Sequence, residues 1–191
     1  TVCGKSPISG PGHFSYANFG GSWGVKLKYA GYDGIVIKGR SEKPVYLLIK
    51  DGHAEIREAS ALWGKTTIEV RGQMKETHGA SANVVACGPA GENMVIFASL
   101  LADNDASGSS GFGAVMGSKQ LKAIVVSGKE KPVAADPGEL KDLTRKILEI
   151  RKDEIGTLQQ DFMEGANSRR DVCLGCIGPC IRQVYKAKDG T

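Results

Sequence analysis

Glycine constrains this chain more than any other residue: it fills 26 of 191 positions, about twice the usual ~7%. The glycines follow no period of three, so a collagen-like triple helix is excluded. Glycine at this density signals tight turns, or main chain that approaches another group closely. Two stretches combine it with small neighbours, Asn18-Phe19-Gly20-Gly21 and Ala106-Ser107-Gly108-Ser109-Ser110-Gly111-Phe112-Gly113. Successive small residues expose amide N–H groups, and such concavities accept phosphate or a polar heterocycle. On the residues alone, each stretch reads first as a turn and second as a ligand cradle. The second contains G-x-x-G-x-G, which is neither the dinucleotide fingerprint nor a phosphate-binding Walker loop, because the glycine order and the lysine spacing differ.

The rest of the composition bounds the class. Apolar residues make up 41% and charged residues 24%, a globular balance rather than a disordered one. The net charge of +4 hints at an anionic partner but is no nucleic-acid footprint. No apolar run approaches the ~18 residues of a membrane span, and the first residues lack a signal-peptide layout. Cytoplasmic residence is therefore expected. The chain opens on Thr1 as if in mid-domain, so it reads either as a fragment or processed chain, or as one that has lost its Met.

Five cysteines are present, and three form C-x2-C-x3-C: Cys173, Cys176 and Cys180. The odd count and the clustering argue against a secreted disulfide framework. Glycine and proline among them let the backbone wrap a small object, and three thiolates suit a soft metal. A redox dithiol and plain loop cysteines are the alternatives. Zinc and a cubane iron–sulfur cluster each take four ligands, so Cys3, Cys87 or a residue beyond Thr191 would supply the fourth. With no His near the loop and no second CxxC, iron–sulfur is favoured over zinc.

Residues 1–25 read as loop with short strands, and 26–31 as a helical turn. Strands are expected at 34–40, 45–52 and 54–58, where apolar and polar residues alternate between turn signals. An amphipathic helix is expected over 66–78, then a buried strand at 82–88, a turn at 88–93, and further strands at 94–102 and 122–128, with no element assigned to 103–119 around the second glycine stretch. The charged, proline-bearing stretch from Lys129 to Pro137 marks a boundary. Beyond it, Leu140, Leu143, Ile147, Leu148 and Ile150 predict a helix over 139–155, with Asp136-Pro137 at its start. This gives an α+β chain: a β-rich domain over 1–130, incomplete at its N-terminus, and the start of a helical domain over 134–191, incomplete at its C-terminus. The scattered His13, His53 and His78 read as surface or satisfied histidines, and Trp23 and Trp63 as packing. Asp103 and Asp105 read as a solvated turn before a divalent-ion site. Lys26 and Lys28 flank the first glycine stretch and could meet phosphate.

Several blocks then occur in one order: Lys5-Ser6-Pro7, Ala17 to Gly39, Glu42 to Gly52, Leu62 to Thr67, Gly88 to Ser99, Gly111 to Gly128 and Cys173 to Cys180. In that order they resemble the aldehyde:ferredoxin oxidoreductase family of tungsten or molybdenum bis-pterin enzymes. The resemblance implies a two-sheet β-rich domain cupping a metal–pterin cofactor, followed by the beginning of an α-helical domain. It implies that Asn18, Phe19 and Gly20 form one cofactor-binding loop, and Asp105, Ala106, Ser107, Gly108 and Ser109 the other. Asn18 and Ala106 would offer backbone carbonyls to a magnesium ion between the pterins. Cys173, Cys176 and Cys180 would hold a [4Fe–4S] cluster, and Cys3 and Cys87 would be buried structural residues.

The implied reaction is oxidation of a small aldehyde to a carboxylic acid, with electrons passing to ferredoxin or an iron–sulfur subunit. The remainder of the catalytic polypeptide and an oligomer are implied as partners; no catalytic acid or base is identified in this stretch. A reductase of aromatic acyl-CoA, a non-catalytic iron–sulfur electron-transfer or assembly subunit, and a zinc-stabilised module are the rival readings. The chain departs from the family in two places. Asp105 and Ser109 stand where arginines are often found, and the span from Gly128 to Cys173 is short.

Overall fold

The computed structural model describes residues 1–10, 12–103 and 106–154, with two further strands at 167–170 and 183–186. The chain divides into two units, Thr1–Pro132 and Val133–Thr191. The first opens with the antiparallel strands β1 (Val2–Lys5) and β2 (Phe14–Ala17), a two-stranded ribbon. Helix α1 (Trp23–Tyr29) follows. The hairpin β3 (Val45–Lys50) and β4 (His53–Glu58) turns at Asp51-Gly52, where both residues have positive φ, 46° and 82°. A primed turn of this kind matches the twist of the paired strands.

Helix α2 (Thr67–His78) starts at a reciprocal capping box. The Thr66 hydroxyl accepts from the Glu69 amide, and the Glu69 carboxylate accepts from the Thr66 amide. The pattern satisfies two amides that have no helical partner. The helix buries Val70 and Met74, one turn apart, and leaves Ile68 exposed. Strand β5 (Asn83–Cys87), the short helix α3 (Pro89–Glu92), strands β6 (Leu100–Ala102) and β7 (Ser107–Gly108), helix α4 (Phe112–Ser118) and strand β8 (Leu121–Ser127) complete the unit.

Six strands form one mixed sheet in the order β4-β3-β8-β5-β6-β7, with β3 and β8 parallel and the other pairs antiparallel. Side chains alternate between the two faces of a strand, and here that alternation sorts the core. Tyr46, Leu48, Val84, Ala86, Ala123 and Val125 pack with Val70 and Met74 of α2 on one face. Ile49, Val85, Cys87, Ile124 and Val126 pack with Trp23, Leu27, Phe112 and Met116 on the other. A sheet covered on both faces explains why β5 and β8 read as continuous apolar runs. The fold class is α+β, with two sheets in this unit.

Two expected strands differ. Residues 34–40 join no ladder; Ile35 and Ile37 pack toward the core while Val36 is 83% exposed. The alternation there encodes burial without pairing. Of 94–102, only Leu100–Ala102 is a strand, because residues before it turn through Val95 N–H to Ala90 O and Ala98 N–H to Val95 O. The stretch 103–119, for which the sequence predicts no element, contains α4, whose glycines lower helix propensity but permit the packing described below.

In the second unit, helix α5 (Pro137–Glu154) begins with the Glu139 amide donating to the Asp136 carboxylate. Strands β9 (Asn167–Arg170) and β10 (Gln183–Lys186) pair antiparallel, so Arg170 and Gln183 face each other across the ladder. Cys173, Cys176 and Cys180 lie between these strands in sequence and outside the described residues. No helix among the described residues is long and apolar enough to cross a membrane.

Candidate functional site

The first glycine stretch follows β2 and leads into α1. Trp23 anchors its far end: the indole Nε1–H donates to Ile124 O at 3.2 Å, inside the core. Phe19 lies against Trp23 with ring centroids 6.3 Å apart. A buried indole with its N–H satisfied is a rigid peg, so the loop hangs from a fixed point. Asn18 and Gly20 are exposed. Among the described residues, the amides of Phe19, Gly20 and Gly21 donate to no backbone carbonyl.

The second stretch leaves β6 at Asp103 and returns as β7. It closes on itself through Ala102 N–H to Ala106 O at 2.7 Å. Ser107 and Ser109 are exposed, whereas Ala106 and Gly108 are buried. Asp105 lies outside the described residues. The Ala106 carbonyl thus spends one lone pair on Ala102 and keeps a second, as any carbonyl does.

The two stretches meet. Gly21 has φ +80°, and a β-carbon there would stand 2.7 Å from Asp103 O and 3.5 Å from Ala106 Cβ. A β-carbon on Gly108 would stand 3.0 Å from Phe19 Cδ1. Only glycine accommodates both that approach and that φ at position 21. A cavity of about 660 Å³ opens beside them in the same unit, with Phe19, Trp23, Phe112 and Met116 in its apolar wall and Lys5 and Lys119 in its lining. Amides without backbone acceptors among the described residues, and exposed serine residues from two joined loops, suit a polar anionic group held mainly by main chain.

Asp103 corrects the sequence reading of a solvated turn. It is 3% exposed. Its carboxylate pairs with Lys75 Nζ at 2.5 Å and accepts the Val84 amide. One residue earlier, the Arg71 guanidinium donates to Ala102 O. Arg71 and Lys75, one turn apart on α2, were the available signal: two cations on the helix face that buries Val70 and Met74. Lys28 pairs with Asp33, and Lys26 sits 5.6 Å over the Tyr29 ring, so neither is committed to the cradle. The histidines are satisfied as expected, His13 by Ser9 O, His53 by Asp51 O and His78 by the Tyr46 hydroxyl. Cys3 is exposed, contrary to expectation, because the two-stranded ribbon leaves it open beside the cavity it helps to line. Cys87 is buried, and desolvation pushes its thiol up to about 11. No cluster of metal-ligating side chains occurs among the described residues.

These features define an α+β domain in which two backbone loops from distant parts of the chain converge on one edge of the sheet. The family model of the aldehyde ferredoxin oxidoreductase N-terminal domain matches residues 1–128. The tungsten-containing aldehyde ferredoxin oxidoreductase of Thermococcus kodakarensis is 46% identical over 157 residues, covering 81% of this chain and 26% of that protein. The WOR-like subunit of the aliphatic sulfonate oxidoreductase of Pyrococcus furiosus is 38% identical, covering 65% of this chain and 22% of that protein. The structure is also similar to the active-site complex BamBC of benzoyl coenzyme A reductase with 1,5-dienoyl-CoA. That match has a TM-score of 0.71 and 40% identity over 79% of this chain and 23% of that one. The chain belongs to the aldehyde ferredoxin oxidoreductase family. It spans about a quarter of the length of the tungsten-containing relatives it matches.

Proposed function

We propose that this chain is the cofactor-holding part of a tungsten or molybdenum bis-pterin oxidoreductase that converts aldehydes to carboxylic acids. The observation that carries the reading is the junction of the two loops, Gly21 against Asp103 O and Gly108 against Phe19. The metal supplies two-electron redox chemistry when bound; the protein supplies binding and orientation. Aldehyde and water give acid, two protons and two electrons.

In this reading the amides of Phe19 and Gly20 bind phosphate and pterin, with Asp105, Ser107, Gly108 and Ser109 lining the other side. The carbonyls of Asn18 and Ala106 would be the oxygen ligands offered to a magnesium ion. Cys173, Cys176 and Cys180 would supply three of the thiolate ligands of a [4Fe–4S] cluster, a soft-ligand site suited to passing electrons singly. The electrons leave to ferredoxin or an iron–sulfur subunit. Residues 1–130 form the pterin domain and 134–191 open a helical domain that the remaining polypeptide completes. Thiolate ligands call for a reducing compartment, the cytoplasm. An oligomer fits the subunit complexes among the relatives.

The test uses the full-length protein purified without oxygen. The reading expects tungsten or molybdenum, pterin and iron, with aldehyde-dependent reduction of a one-electron dye. Cys176→Ser should bleach the iron–sulfur absorption and stop dye reduction. Iron without pterin would leave an electron carrier, and zinc alone a structural module. The likeness to a benzoyl coenzyme A reductase component favours a second reading, low-potential reduction of an aromatic acyl-CoA. Turnover of an aromatic acyl-CoA in place of any aldehyde would establish it.

A further inference from the structure

The two cradle loops are fixed by different means. The first hangs from an aromatic peg, Trp23. The second hangs from charge. We propose that Lys75 and Asp103 are positioning residues that hold the second loop against the first and so set the affinity for the anionic cofactor; this rests on the function proposed above.

The geometry assigns each oxygen of Asp103 a task. One carboxylate oxygen pairs with Lys75 of α2 at 2.5 Å, and the other accepts the Val84 amide at the β5 end of the sheet. The backbone carbonyl receives the Ala106 amide at 3.5 Å and faces Gly21 across the junction. A single residue therefore links helix, sheet and both loops. The Arg71 guanidinium holds the preceding carbonyl, Ala102 O, and the Ala102 amide in turn grips Ala106 O. The Asp103 side chain is 4% exposed and that of Lys75 is 39% exposed. A carboxylate this buried is costly without its cation. Removing the ammonium drives it to rotate toward water, which pulls on the carbonyl that meets Gly21, or to take up a proton, which releases the loop from α2 and lets that carbonyl wander. Partners that orient metal ligands from behind typically change metal affinity by about 10–100-fold when replaced, and a loop held from behind is expected to respond on the same scale.

The experiment compares the full-length protein with Lys75→Met, Lys75→Arg and Asp103→Asn. Two quantities are read: pterin retained per polypeptide after extensive dialysis, and hydrogen exchange of amides 106–109 in cofactor-free protein. Lys75→Met should lower retained pterin by about tenfold and speed exchange at 106–109. Lys75→Arg should restore both. Asp103→Asn keeps the shape and an acceptor for Val84, so it folds if Lys75→Met does not, and it should show the same losses. Wild-type pterin retention and unchanged exchange in folded Lys75→Met or Asp103→Asn would overturn the positioning role, leaving the pair as a fold contact. Wild-type protein without pterin would overturn the function itself, and this inference with it.

Discussion

Two parts of the first unit are built from glycine, and they use it in opposite ways. In the cradle, Gly20 leaves main chain open to solvent, and the neighbouring amides have no backbone acceptor among the described residues. In the clasp between α3 and α4, glycine removes side chains so that backbone can touch backbone. A β-carbon on Gly117 would stand 1.9 Å from Gly91 O, and one on Gly91 would stand 2.6 Å from Gly113 O. A β-carbon on Gly113 would likewise stand 2.6 Å from Ser99 O. The clasp is also where charge is buried: Lys122 pairs with Glu92 of α3, and the same ammonium donates to Lys65 O at 2.7 Å. Glycine abundance therefore marks close approach without saying whether the approaching group is a ligand or another part of the chain.

The clasp should be the more fragile region. Gly117→Ala places a methyl inside a backbone carbonyl that cannot retreat without separating α3 from α4. Overpacking commonly costs about 1–3 kcal/mol, and a rigid backbone neighbour puts this case at or above the upper end. Loss of soluble full-length protein, or a collapse of its melting temperature, is the expected result; a Gly117→Ala protein melting with wild type would dissolve the contrast.

Glu92→Ala comes next, because it strands a fully buried lysine. Breaking such a pair costs about 3–5 kcal/mol. The double variant Glu92→Ala with Lys122→Met should recover most of that loss, since no charge then remains buried. Thermal or denaturant unfolding of the three variants measures the coupling. Simple additivity would mean that Lys122 reaches solvent or another partner.

Cys87 supplies a pH test of the same region. Its Cβ stands 2.9 Å from where a Gly91 side chain would begin, and burial pushes its thiol up to about 11 from 9.0. The folded state thus keeps the thiol neutral at pH values where the unfolded chain ionises it. Stability from this residue is intact below pH 9 and falls as pH rises toward 11, by at most about 3 kcal/mol. Cys87→Ala should flatten that part of the stability–pH curve, measured by chemical denaturation. A wild-type curve of the same slope would show that the thiol contributes nothing there.

What the sequence made legible follows the same division. The turn at Asp51-Gly52, the helix α2 and the buried strands β5 and β8 rest on local chemistry: turn residues, helical spacing and short apolar runs. The two cradle stretches stood out because small residues cluster there. The meeting of those stretches depends on the β6–β7 edge and on α2, contacts no local pattern encodes. Asp103 was hidden for the same reason. An aspartate beside Asn104 and Asp105 looks solvated until Lys75 and Val84 arrive from elsewhere. Helix α4 was missed because three of its features, Gly111, Gly113 and Gly117, argue for loop locally and for close packing globally.

The smallest structural effect should come from the cradle, which sharpens the contrast. Gly108 lacks a positive φ constraint, and the β-carbon it omits would meet the edge of the Phe19 ring at 3.0 Å rather than backbone. A ring edge can shift by a few tenths of an ångström. Gly108→Ala should therefore cost about 1 kcal/mol or less of stability, at the low end of overpacking, while tilting Phe19 and the amides beside it. The expected signature in the full-length protein is a nearly unchanged melting temperature of the cofactor-free form with reduced pterin retention. A variant that loses stability and keeps its pterin would place Gly108 with the clasp glycines, as a packing residue, and would break the division between the two regions.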